Sequence, residues 1–191
     1  MRRLILASAS PRRRELLTQA GYTFEVHPAH VNEDLYPGED AITYVVRLAR
    51  DKAQAVFAAI NDPNVIILGA DTTVTIGGHI LAKPEDAADA SRMLRMLSGR
   101  THRVITGVAL ATATGVEVAA EVTGVQFRTL SDADIAAYVA TGEPMDKAGA
   151  YGIQGLAAKW IPRVEGCYFN VVGLPLALVA TMLEQAQSCS P

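Results

Sequence analysis

Three features of the chain predict an α/β fold, a mixed β-sheet with flanking helices. The apolar run Leu4-Ile5-Leu6-Ala7 stops at Ser8 and Ser10 and passes into a helix opened by Pro11. Val65-Ile66-Ile67-Leu68 reads as a strand buried on both faces, ending in Gly69-Ala70-Asp71. Helical patterns alternate with further strands, and some of these double back through glycine turns, which adds antiparallel pairs.

The first strand and helix place unusual chemistry together. Ser10 suits an N-cap because its hydroxyl accepts from an otherwise unpaired N–H, and Pro11 suits the first helical position. Arg12, Arg13 and Arg14 occupy the first turn. N–H groups, the positive end of the helix dipole and guanidinium forks then converge, a combination that favours phosphate. A capped surface helix with its basic side chains in water satisfies the same pattern. The helix is expected over 11–20 with Gly21 as its stop, and 22–26 alternates like a strand. The irregular stretch 27–38 carries Glu33 and Asp34, functional acids or solvated loop charges.

A long helix is expected over 40–60, with Val45, Leu48, Ala49, Ala53 and Val56 on its apolar face. Lys52 falls at the edge of that face, either reaching out to water or aimed beside the sheet. Asp71 stands at the carboxyl end of a buried strand, where open α/β sheets place ligand-binding groups; capping the following turn is the alternative. Residues 72–76 continue as a strand, Gly77-Gly78 signals a hairpin and His79-Ile80-Leu81 returns. Lys83 is expected on the same edge as Asp71, in a salt bridge or a metal–phosphate site. A helix follows over 85–98, stopped by Gly99. Residues 100–112 and 116–128 form a long antiparallel pair, with Val125 and Phe127 on its buried face and His102, read as structural, at its start. Ser131 caps a helix over 132–141. The glycine-rich stretch 146–155 lets the backbone approach something flat. Its Gln154, donor and acceptor together, suits the edge of a base, although a tight connection fits the composition equally. Residues 159–164 and 168–172 read as a closing hairpin, and Pro175 opens the last helix.

Composition narrows the function. The chain has 191 residues, half of them hydrophobic, and a net charge of −3, which suits one domain or one domain in two lobes and argues against a general nucleic-acid surface. Cys167 and Cys189 are far apart and suggest neither a disulfide framework nor a zinc site, so a reducing compartment is expected. The first apolar run is too short for a signal peptide, and no stretch approaches the roughly 18 apolar residues of a membrane span, which points to the cytoplasm and no membrane partner.

A basic helix N-terminus, carboxylates at Glu33 and Asp71, and lysines at Lys52 and Lys83 make a kit for a nucleoside triphosphate with a divalent cation. The Walker and dinucleotide glycine patterns are absent. The chain closely resembles the Maf family of nucleoside triphosphate pyrophosphatases in Ala7-Ser8-Ala9-Ser10-Pro11-Arg12-Arg13 with Glu15-Leu16-Leu17, Gly69-Ala70-Asp71-Thr72, Lys83-Pro84, Ser98-Gly99 with Thr101-His102, and the run from Asp146 to Gly155. The resemblance implies one domain over 1–191 in two lobes around a mixed sheet, similar to inosine triphosphate pyrophosphatases, with the active site in the cleft. It implies hydrolysis of dTTP and UTP to the monophosphate and pyrophosphate by attack of water at the α-phosphate, dependent on Mg2+, Mn2+ or Co2+, as house-cleaning of unwanted pyrimidine nucleotides. Asp71, Lys83 and Lys52 match its catalytic positions, and Ser8, Ser10 and Arg13 its substrate-binding ones. Asp71 and Glu33 match its metal site. Arg12, Thr72 and Gln154 match the residues that mark the dTTP/UTP branch. The family also carries a septum-formation label, so a non-catalytic nucleotide-binding regulator and the same chemistry on 7-methyl-GTP are the rival readings. It is often dimeric, but the sequence identifies no interface.

Overall fold

A computed structural model describes residues 2–188 of the chain. Cys189, read from the sequence as part of an uninformative tail, lies outside them. The described strands are β1 (Arg3–Leu6), β2 (Phe24–Val26), β3 (Val65–Ile76), β4 (His79–Leu81), β5 (Thr101–Thr112), β6 (Gly115–Gln126) and β7 (Arg163–Glu165). The helices are α1 (Pro11–Gln19), α2 (Ala41–Ile60), α3 (Ala87–Leu97), α4 (Asp132–Val139), α5 (Tyr168–Val172) and α6 (Leu176–Ser188). One mixed sheet has the order β2-β1-β3-β5-β6-β7, with β4 paired to β3. β1 runs parallel to both β2 and β3, in a register that sets Leu6 beside Leu68, and β4 is antiparallel to β3 through Gly77-Gly78. The α/β class read from the sequence is the class observed.

The chain divides into two compact units. Among the described residues the first comprises 2–71, 106–121 and 173–188, the second 72–105 and 122–172, so β3, β5 and β6 each begin in one unit and end in the other. In the first unit, Ile5, Val65, Ile67 and Ala109 of the sheet pack against Ala49, Ala53 and Val56 of α2. Asp40 starts α2 by accepting from the backbone N–H groups of Ile42 and Thr43 at 2.9 and 3.1 Å, and Asn61, in the left-handed region at φ 51°, ends it. Two glycines admit the helix. A Cβ on Gly69 of β3 would overlap the carbonyl oxygen of Ala49, and one on Gly107 of β5 that of Val45. Helix and sheet therefore meet backbone to backbone, which fixes α2 along its length and with it the reach of Lys52.

The second unit gathers Val74, Leu81, Leu94, Val125, Phe127 and Trp160 into its own core. Asp86 caps α3, which thus starts two residues later than its acidic sequence suggests. Ser131 and Asp134 form a reciprocal capping box on α4. The expected hairpin over 159–172 is not formed. Leu156–Trp160 is a 3-10 turn, β7 pairs with the end of β6, and 168–172 is the short helix α5. A short apolar run fits either period, and burial decides between them. The helical turn carries Asn170 inward, fully buried, where its amide donates to the Val104 carbonyl at 3.0 Å and the Thr123 hydroxyl at 2.9 Å.

Candidate active site

Seven of the residues singled out from the sequence lie in the first unit. Ser8, buried just past β1, accepts from the Ser10 N–H at 3.2 Å, and Ser10 caps α1 by accepting from the Arg13 N–H at 3.5 Å. These two bonds turn the chain from β1 into α1 and bring Arg13 of its first turn to β3. There the Arg13 guanidinium donates from Nη1 to the Ser8 hydroxyl at 3.1 Å and to the Ala70 carbonyl at 2.9 Å, and from Nε to the Gly173 carbonyl at 2.8 Å. Arg13 thus clamps the stretch of β3 that carries Asp71. Burial lowers its pKa, and the like charge of Arg12 adds to this, while Asp71 and Glu33 oppose both. Arg12 lies half-buried in the same turn, and Arg14 points into solvent.

Lys52 is 8% exposed, the aimed alternative of the two that its spacing allowed. Its Nζ donates to Asp71 Oδ1 at 2.7 Å and pairs with Glu33 Oε1 at 2.7 Å. One ammonium therefore holds two carboxylates from segments far apart in sequence. Asp71 is mostly covered, its side chain 13% exposed, whereas Glu33 is 54% exposed and faces water.

The irregular stretch that carries Glu33 is tied to α2 by residues the sequence did not single out. Tyr44 donates its hydroxyl to the Glu33 carbonyl at 2.9 Å. Burial, with Asp71 and Glu33 adding to it, pushes the phenol up to about 12, so it stays a donor across the physiological range. Arg47 forks onto Glu39 at 2.7 and 2.8 Å, donates to the Asp34 carbonyl at 2.9 Å and lies 4.0 Å over the Tyr36 ring. Tyr44 sits eight residues before Lys52 on the same helical face, a spacing that marks it as a neighbour of the lysine; nothing in the sequence pairs Arg47 with Glu39.

The other three candidates belong to the second unit. Thr72 follows Asp71 along β3 and is half-buried. Lys83 is exposed two residues beyond β4, whose Leu81 lies opposite Val74. Gln154 is exposed in a glycine-flanked turn just ahead of the 3-10 turn at Leu156–Trp160. His102, expected to be structural, is 2% exposed, with Nε2 2.7 Å from the Tyr151 hydroxyl and Phe127 packed edge-on against its ring. Among the described residues, no group of three or more His, Cys, Asp or Glu side chains gathers as a metal cage, and no helix is long and apolar enough to cross a membrane.

The sequence profile of the Maf-like protein family matches residues 3–186. A dTTP/UTP pyrophosphatase of Koribacter versatilis is 56% identical over 96% of this chain and 94% of its own length. Proteins of the same name from Hahella chejuensis and Shigella sonnei are 51% and 54% identical, over 96% and 92% of this chain and 92% and 89% of their own. Among solved structures, the Staphylococcus aureus Ham1 protein superposes at a TM-score of 0.47 and 14% identity, over 65% of this chain and 71% of that one, too distant to bear on the assignment. The strand-end serines, the clamped Arg13 and the Lys52–Asp71 pair thus stand on a sequence that its relatives share along nearly its whole length, and the chain belongs to the Maf family.

Proposed function

We propose that this chain hydrolyses dTTP and UTP in the cytoplasm to the nucleoside monophosphate and pyrophosphate. The observation that carries the reading is the Lys52 ammonium held 2.7 Å from both Glu33 and Asp71, the latter midway along β3 rather than at the strand end its sequence suggests. The name shared by relatives at 51–56% identity supplies the substrate class.

Asp71 is the proton acceptor for a water attacking the α-phosphorus, and Lys52 fixes the orientation of its carboxylate. The N-terminus of α1, with Ser8, Ser10 and Arg13, meets phosphate oxygens, and the bonds that already hold Arg13 to backbone carbonyls keep it preorganised. Arg12 and Thr72 bear on base selection, Gln154 reads the base edge, and Lys83 neutralises phosphate charge. Asp71 and Glu33 are the residues that would hold a divalent cation. Their fit rests on donor chemistry: two carboxylates already converge on a cationic head, and carboxylate oxygen suits a hard metal. When bound, such a cation supplies charge neutralisation at the phosphate oxygens.

The test is product analysis with dTTP in Mg2+ or Mn2+. Equimolar dTMP and pyrophosphate are expected, and orthophosphate as the first product would sink the reading. Asp71→Asn should lower turnover by roughly a hundredfold or more while its circular dichroism stays native. Rates on dTTP, UTP, CTP and 7-methyl-GTP decide the base.

A further inference from the structure

We propose that Tyr138 and Glu143 are positioning residues for base recognition, because together they staple both ends of the turn that presents Gln154. Tyr138 is 3% exposed on α4, and its hydroxyl accepts from the Gly152 N–H at 3.2 Å while donating to Glu143 Oε1 at 2.9 Å. Burial raises the phenol's pKa, so it remains a donor. At the other end of the turn, the two Glu143 oxygens accept from the Leu156 N–H at 3.1 and 3.2 Å. Gln154 lies midway between these two anchored amides. Its neighbour Ile153 packs on the core of the unit.

The glycines in the turn follow from this arrangement. A Cβ on Gly155 would overlap Glu143 Oε1, so a side chain there would push the carboxylate away from the Leu156 N–H and the Tyr138 hydroxyl. A Cβ on Gly152 would stand 2.7 Å from Lys147 Cε, and that lysine in turn donates to the Glu143 carbonyl at 2.7 Å. The glycine-rich composition of this stretch, read from the sequence as letting the backbone approach something flat, here lets it approach the side chains underneath.

A fixed turn matters for specificity because of the carboxamide itself. It offers one donor side and one acceptor side, and by turning over it can match cytosine as well as uracil or thymine. A fixed backbone does not stop that turning, but it sets the distance and angle at which the carboxamide meets the base, and preference for one base edge depends on that placement. The inference rests on the reading of Gln154 as the group that meets the base, and the test separates the two.

The measurement is kcat/KM for dTTP relative to CTP in Glu143→Ala, Tyr138→Phe, Glu143→Gln and Gln154→Ala, with hydrogen exchange at Gly152 and Leu156. Glu143→Ala and Tyr138→Phe should each lower the dTTP preference about tenfold through KM, with kcat within about twofold and faster exchange at the amide each one frees. Glu143→Gln, whose side-chain oxygen accepts from the same N–H, should restore most of the preference, which a general loss of packing would not allow. Gln154→Ala should abolish the preference. If it does so while Glu143→Ala and Tyr138→Phe leave the preference intact, the positioning role is overturned and the reading of Gln154 stands. An unchanged preference in Gln154→Ala overturns that reading and the inference with it.

Discussion

Midway along β3, where the first unit's share of the strand finishes, Lys52 holds Asp71 and Glu33 at 2.7 Å while Arg13 is tied to backbone carbonyls, among them that of Ala70. The segment bearing Gln154, in the second unit, rests instead on amide-to-oxygen bonds and packed rings: the Tyr138–Glu143 staple, with Trp160 edge-on to Tyr138 at 5.0 Å. In the first region charge sets the geometry, as the chemistry of phosphate requires. In the second, a buried phenol and one carboxylate hold the backbone under an exposed carboxamide, as reading a base requires. Partly buried charge is sensitive to what surrounds it, whereas a hydrogen-bonded turn is sensitive to what lies beneath it.

The largest effect is expected where the first region depends on close backbone approach. Gly69→Ala places a methyl group against the Ala49 carbonyl and 2.9 Å from the Ala53 N–H, so α2 must lift from β3. A loss of about 3 kcal/mol is expected in urea unfolding, with turnover falling further than stability alone explains because Lys52 moves with the helix. A shift under about 0.5 kcal/mol would show that the helix position is not set there.

The second unit should show the burial of its histidine in acid. Burial lowers the His102 pKa from 6.5 to about 4. Between those values the unfolded chain binds the proton and the folded chain does not, so stability falls as pH drops from 6.5 towards 4 and is unaffected by this group above 6.5. Its share amounts to roughly 2–3 kcal/mol at the acid end. Thermal melts of wild type and His102→Gln across that window should differ in slope by this amount, and parallel curves would contradict the assignment.

A smaller effect tests the tie between α2 and the Glu33 segment. Tyr44→Phe removes the hydroxyl that donates to the Glu33 carbonyl, a bond of about 1 kcal/mol. If Glu33 serves a divalent cation, the Mg2+ concentration for half-maximal turnover should rise severalfold with little change in melting temperature; an unaltered metal titration would detach Tyr44 from that role. The smallest effect belongs to charge with no burial. Arg95 and Asp132 pair at 3.0 Å with side chains 58% and 83% exposed, and Arg95→Ala should cost no more than about 0.5 kcal/mol, screened further by salt. A larger loss would mean that burial does not separate the two kinds of charge in this molecule.

How far the sequence could be read depends on the range of the physics involved. The Ser10 cap, the Gly77-Gly78 hairpin and the buried run ahead of Asp71 follow from bonds or periodicities within a few residues, and each is found where the pattern put it. The stretch 168–172 forms a helix rather than the expected strand because four apolar residues around one Asn have no period of their own, and the turn buries the Asn170 amide on its partners. Arg13 shows a different limit. Its position in the first turn of α1 was legible, but its carbonyl partners at Ala70 and Gly173 come from distant parts of the chain.

The sequence by itself determined the α/β class, the order of most elements, the family and the residues worth testing, because these are local patterns or matches spread along the whole chain. Only the tertiary structure decided that Lys52 turns inward to two carboxylates, that Gly69 and Gly107 are there to admit a helix, and that Tyr138 and Glu143 lie under Gln154. Each of these joins groups distant in sequence at contact distance, and no spacing along a chain encodes such a meeting until the sheet and its helices have packed.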